Sequence, residues 1–125
     1  MNGKLMIVDD EEHIRQFYSE ELKDEGYDVI ALSNGYDLLE KIEKEKPNLI
    51  ILDIRLRQHD GLDLLQVIKN SCYDVPVGIC SAYDTYKEDI KSVAADFYIV
   101  KSSDLYDLKK NIAQTLQISY SNRAS

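Results

Sequence analysis

The chain has 125 residues, 44% of them apolar, with 15 basic and 23 acidic side chains for a net charge of −8. That suits one domain with its own core and is too apolar for a disordered chain. The charge is the wrong sign for a general nucleic-acid surface, and apolar runs of only four or five residues leave no segment fit to cross a bilayer.

The N-terminus has no apolar stretch of the kind found in signal peptides, and Cys72 and Cys80 form no Cys-x-x-Cys pair. A cytoplasmic protein with two reduced thiols is therefore expected, with no membrane contact.

The first predicted strand is "LMIV" (5–8), which runs directly into the acids "DDEE". Ile14, Phe17, Tyr18 and Leu22 then fall on one helical stripe, and Gly26 stands where a C-cap glycine belongs. "DVIAL" (28–32) reads as a strand, followed by a helix carrying Leu38, Leu39 and Ile42. "NLIILD" (48–53) is the third strand. Asp60 is a candidate N-cap for a helix with Leu64, Leu65 and Ile68.

"PVGIC" (76–80) is the fourth strand. The helical pattern after it, 84–93, is the weakest, with only Tyr86, Ile90 and Val93 as clear apolar positions. "DFYIV" (96–100) is the fifth strand. Ser103 is the expected cap of a last helix bearing Leu105, Leu108, Ile112 and Leu116. The domain is expected over residues 1–119, with 120–125 a polar, frayed tail or linker.

Three strands are near-continuous apolar blocks, the mark of strands covered on both faces and so of a parallel sheet. A strand–helix unit repeated five times with right-handed crossovers gives an open α/β sheet with helices on both faces. Ligands in such folds bind beyond the carboxyl ends of the strands.

Asp9 and Asp10 end the first strand and Asp53 ends the third. In a sheet of order 2-1-3-4-5 these strands are neighbours, so three carboxylates converge and repel one another. An oxygen-only set suits a hard cation, magnesium above all. Zinc is disfavoured, because His13 and His59 stand apart from each other and from any cysteine at ligand spacing. Ser81 and Lys101 follow the fourth and fifth strands and reach the same edge.

A phosphoryl group on Asp53 would meet a metal, an ammonium and a hydroxyl there, which is positioning plus charge neutralisation. Any of these acids alone reads as a helix-favouring charge, and Glu11 and Glu12 are left with that reading. His13 and His59 are expected to be exposed.

At these residues the sequence resembles the receiver domain of bacterial two-component response regulators. "IVDDE", "LIILDIRLRQHDG", "CSA" and "DFYIVK" occur in the family's order, from about Lys4 to about Gln117. The resemblance implies a flavodoxin-like (βα)5 doubly wound fold and a phosphorylation-activated switch rather than an enzyme with an external substrate. It implies that Asp53 accepts a phosphoryl group from a sensor histidine kinase or phosphotransfer protein. Magnesium, or manganese in its place, would be held by Asp10, Asp53 and the main-chain carbonyl of Arg55, with Asp9 acting through water. Lys101 would pair with the phosphoryl group, Ser81 would move to bond it, and Tyr98 would turn as the switch. Arg55 and Tyr83 match positions that tune the lifetime of the aspartyl phosphate. The fourth helical segment, the fifth strand and the last helix would form the partner or homodimer face, with no direct nucleic-acid binding.

The chain departs from the family pattern. Arg57 stands where proline is usual, so a looser loop is expected. Ser102 replaces the proline after the lysine, so Lys101 is placed either by a cis bond or by a re-routed trans loop. Ala94 or Ala95 replaces a glycine, and the segment before Lys101 is short, so an irregular fourth helix is expected.

A rival reading is a pseudo-receiver that binds partners without phosphate; its filled site positions count against it. A flavin binder would want a glycine- or hydroxyl-rich loop where "DDEEH" stands. An aspartyl-phosphate phosphatase would need a substrate cap, for which no segment is long enough.

Overall fold

The computed structural model describes residues 3–57, 59–71, 74–83 and 94–124, with side chains described as far as residue 117. Strands β1 (Lys4–Val8), β2 (Asp28–Leu32), β3 (Leu49–Leu52), β4 (Val77–Ser81) and β5 (Phe97–Val100) form one parallel sheet in the order β2-β1-β3-β4-β5. Helices α1 (Glu12–Asp24), α2 (Leu38–Glu45), α3 (Gly61–Ser71) and α4 (Tyr106–Ala124) join and follow the strands. The helix expected over 84–93, with Tyr86, lies outside the described residues, as does Cys72, so α4 is the chain's last helix.

The apolar blocks are buried for the reason their pattern gave. β3 and β4 are buried at every position and β1 at all but Lys4, while the edge strands β2 and β5 are half-exposed. Strand alternation divides the core in two. Leu5, Ile7, Leu49 and Ile51 pack with Tyr18 and Leu22 of α1 and with Leu108, Ile112 and Leu116 of α4. Met6, Val8, Ile50 and Leu52 pack on the other side with Leu38 and Ile42 of α2 and Leu62, Leu65 and Ile68 of α3. Each such side chain contributes about 1.5–3 kcal/mol by leaving water. Lys109 of α4 ties the first layer together through Glu21 at 3.1 Å and Glu25 at 3.3 Å beside α1.

Helix ends follow local chemistry. Gly26 takes φ 99° after α1. Its N–H reaches the Lys23 carbonyl at 2.9 Å and the Tyr27 N–H reaches Leu22 at 3.2 Å, the paired closure that glycine favours. Asp60 caps α3, its Oδ1 accepting the Leu62 N–H at 2.8 Å.

The cap expected at Ser103 is instead Asp104, whose Oδ1 accepts the Tyr106 N–H at 2.9 Å. The Asp104 N–H is in turn held by the Ser102 hydroxyl at 3.1 Å, which moves the helix start downstream. α4 also continues through Ala124, so the frayed tail expected from residue 120 is helical up to that point. No cis peptide bond occurs among the described residues, so Lys101 is placed by a trans loop.

The final rungs of the sheet carry the residues of interest. The Asp9 N–H reaches Leu32 at 3.0 Å, the Asp53 N–H reaches Val8 at 3.0 Å and the Lys101 N–H reaches Ser81 at 2.7 Å. Ladder bonds thus fix the backbone of these residues at the carboxyl edge.

Candidate functional site

Asp9 and Asp53 continue the strand positions that face α1 and α4, and both are almost wholly buried, at 3% and 5% exposure. Asp10, half-buried, completes a trio whose carboxylate oxygens lie within 4.8 Å of one another. Lys101 reaches into it, with Nζ 2.7 Å from Asp9 Oδ2 and 3.2 Å from Asp53 Oδ2. The other Asp9 oxygen accepts the Glu11 N–H at 2.9 Å, and the Asp9 carbonyl accepts an Arg15 N–H at 2.8 Å. Both Asp9 oxygens are therefore already engaged by protein donors. Asp10 Oδ2 accepts the Arg57 main-chain N–H at 3.1 Å.

Burial is the main influence on the Asp53 carboxyl and raises its pKa; Lys101 opposes it and Asp9 reinforces it. The outcome is a pKa pushed up to about 6. For Lys101, burial pulls the pKa down, but the hydrogen bonds and charges of Asp9 and Asp53 outweigh it, so the ammonium is held above its ordinary range. A site with one lysine among three acids keeps excess negative charge. Its donors are all oxygen, which fits a magnesium ion better than zinc.

Ser81 is the last residue of β4 rather than the one after it, and is wholly buried. Its Oγ accepts the Tyr83 N–H at 3.2 Å. The Tyr83 ring lies under the Arg55 guanidinium, 5.0 Å from Cζ to the centroid, a cation–π contact. The Tyr98 hydroxyl donates to the Tyr83 carbonyl. Arg55, Tyr83, Ser81 and Tyr98 thus form one connected chain beside Asp53.

Several residues in this site were not singled out from sequence. Glu11, given only a helix-end role, stands 3.6 Å from Lys101 Nζ. Gly61 approaches the end of β3 so closely that a Cβ there would stand 2.1 Å from the Asp53 carbonyl oxygen. Its N–H bonds the Ile54 carbonyl at 2.7 Å, so glycine is what lets α3 begin against the strand. The "HDG" run was the available signal.

Arg57 does not leave its loop loose, because its N–H anchors it to Asp10. Tyr18 lies beneath the site, its hydroxyl 3.7 Å from the Cys80 sulfur, and burial pushes the Cys80 thiol up to about 11. His13 is exposed as expected. His59 is not: it is half-buried, edge-on to Tyr36 at 4.7 Å, with its Nε2 buried and without a hydrogen-bond partner among the described residues.

Fold and site are together those of the doubly wound α/β domains that carry their chemistry at the carboxyl edge of a parallel sheet. The chain belongs to the response regulator receiver domain family, whose model matches residues 5–113. It is similar to the alkaline phosphatase synthesis transcriptional regulatory protein PhoP of Bacillus subtilis, 36% identical over 103 residues that make up 81% of this chain. The match covers 43% of that relative, so the chain spans under half its length.

Among solved structures it resembles the response regulator TrrA of Thermotoga maritima in complex with Mg(2+)-BeF. That match has a TM-score of 0.85 at 35% identity and covers 90% of this chain and 97% of that one. TrrA in complex with the histidine kinase ThkA matches with a TM-score of 0.81, at the same identity and coverage. A CheY-like receiver domain protein of Methanospirillum hungatei matches with a TM-score of 0.90 at 27% identity, over 98% of this chain and 99% of that one. Receiver domains of response regulators serve as signalling switches, and this chain has their family's fold and acidic site. No helix among the described residues is long and apolar enough to cross a membrane.

Proposed function

We propose that Asp53 accepts a phosphoryl group from the phosphohistidine of a sensor kinase or phosphotransfer protein, and that the acyl phosphate switches the protein's partner surface. The observation that carries this is the buried Asp53 carboxylate, bonded to Lys101 at 3.2 Å and within 4.8 Å of Asp9 and Asp10 oxygens. With a pKa pushed up to about 6, Asp53 is an anion near neutral pH and so a competent nucleophile. Its oxygen bonds to phosphorus as the phosphorus–nitrogen bond of the donor breaks, and the imidazole keeps the electron pair.

Lys101 neutralises charge gathering on the transferred oxygens. Asp10, Asp53 and the Arg55 carbonyl would hold magnesium, with Asp9, both of whose oxygens are engaged, acting through water. When bound, that ion supplies charge neutralisation and holds the phosphoryl group against the carboxylate. The Mg(2+)-BeF complex of TrrA supports this choice of metal, and the ThkA–TrrA complex supports a kinase as partner.

Ser81 exchanges its bond with the Tyr83 N–H for one to the phosphoryl group, and Tyr98 responds through Tyr83. The affected face is that of β5 and α4, together with the fourth helical segment expected from the sequence, and it serves partner binding or homodimerisation rather than nucleic-acid contact. The switching unit spans residues 1–119 and works in the cytoplasm.

Treating the protein with acetyl phosphate, with and without magnesium, and measuring intact mass tests this reading. A gain of one phosphoryl group that requires magnesium and is lost in Asp53→Asn is expected. No gain would leave a phosphate-independent interaction module.

A further inference from the structure

Arg57 holds one of the proposed metal ligands by two routes at once. Its main-chain N–H donates to Asp10 Oδ2 at 3.1 Å, and its Nε lies 3.7 Å from the same oxygen. The guanidinium is itself 86% exposed, while the Asp10 side chain is 16% exposed. The cation therefore reaches back from solvent onto a carboxylate that is nearly covered. We infer that Arg57 is a built-in competitor for the metal: it occupies Asp10 in the metal-free protein and must yield that oxygen as the ion loads.

The inference rests on the proposed magnesium site and concerns how that site is regulated. A dication that takes Asp10 Oδ2 would face the guanidinium across that oxygen and compete with the Arg57 N–H for its lone pairs. Lys101 sits on a different proposed ligand, Asp53, at 3.2 Å, so the competition at the Asp10 oxygen is Arg57's.

Loading and loop position become coupled. The β3–α3 loop is pinned at its near end by β3, whose Asp53 N–H bonds Val8. At its far end the Gly61 N–H bonds Ile54. Arg57 lies between these anchors, within the turn that the Arg55–Asp60 bridge closes, so its release from Asp10 would be felt inside that turn while the bridge and the ends stay fixed. Metal occupancy would then be read on the surface near Asp53 before any phosphoryl transfer.

Two substitutions separate the two routes. Arg57→Gln removes the guanidinium and keeps the N–H; Arg57→Pro removes both. Magnesium affinity is measured by calorimetry on the unphosphorylated protein at low salt, together with amide exchange at Arg57 in the wild type. Arg57→Gln should bind magnesium about two- to threefold more tightly, the scale of an exposed ion pair. Arg57→Pro should bind it about tenfold more tightly, since a hydrogen bond to a charged acceptor is also lost.

The wild-type Arg57 amide should exchange faster once magnesium is bound. If the proline variant does not fold, the glutamine variant decides, because its gain must shrink as ionic strength rises. Glutamine and proline variants that bind no more tightly than wild type, or an Arg57 amide indifferent to magnesium, would overturn the inference while leaving the metal site standing. A wild type that binds no magnesium would sink the metal site itself, and this inference with it.

Discussion

Asp53→Asn should make the metal-free protein more stable, although it removes the residue proposed to carry the chemistry. The carboxyl is 5% exposed, and its pKa is raised from 3.8 to about 6, chiefly by burial and further by Asp9, against the pull of Lys101. A carboxyl with a raised folded pKa binds its proton more tightly in the fold than in the unfolded chain. Below the unfolded value both states are protonated and there is no penalty. As pH climbs through the window from 3.8 to about 6, folding becomes progressively costlier, and above it the whole penalty is present. At about 1.4 kcal/mol for each pH unit, the gap makes the charged form about 3 kcal/mol less favourable in the fold.

Asparagine keeps the shape, can still accept from Lys101, and offers an amide donor to the neighbouring acids. A net gain of about 1–3 kcal/mol at pH 8, or about 4–10 °C in Tm for a domain of this size, is expected. Urea and thermal melts of both proteins in a chelator, from about pH 8 to about pH 4, check it, because other titrating groups cancel in the difference. The gain should fade across that range. A variant less stable than wild type at pH 8, or a gain that does not change with pH, would show that hydrogen bonds rather than buried charge govern Asp53.

Magnesium should raise the melting temperature of the wild type, by about 2.7 kcal/mol of stabilisation at a hundredfold excess over Kd. Asp10→Ala should lose most of that, and a melting point flat at millimolar magnesium would refute the acid-cluster site. Gly61→Ala should cost about 1–3 kcal/mol in urea unfolding, since the new methyl must push the first turn of α3 off the Asp53 carbonyl; unchanged stability would mean that the turn gives freely. The double change Arg55→Ala with Tyr83→Ala removes the cation–π cover beside Asp53 and should shorten the lifetime of the aspartyl phosphate, followed by loss of the phosphorylated mass; an equal or longer lifetime would exclude a shielding role. With beryllofluoride as phosphate mimic, amide exchange should change across residues 82–108, and changes confined to α1 and α2 would overturn the assignment of the partner face.

What could be read from the sequence is what depends on one segment at a time. β2 falls at residues 28–32 as expected, because Gly26 stops the helix before it and the strand begins one rung later. β1 and β3 were legible because burial on both faces leaves an unbroken apolar run, and the acids after them follow from where those runs end. Helix starts were less legible. Ser102, Ser103 and Asp104 are all capable caps, and only the mutual bonding of Ser102 and Asp104 decides that α4 begins at Tyr106.

What the sequence hid is contact between loops that follow different strands. Arg57 meets Asp10 across 47 residues of chain and Lys101 meets Asp53 across 48. The second was accessible because a lysine after a strand has a fixed place on the sheet edge. The first was not, because an arginine inside a loop has no such coordinate. Arginine in place of proline predicts a looser loop. Physically it does the reverse: unlike proline it carries a main-chain N–H, and such a donor beside a crowded carboxylate finds an acceptor at once. Two of the cations at the site differ in kind. Lys101 is buried and bonded to Asp53 and Asp9, while Arg57 is exposed and bonded to Asp10 alone among those three.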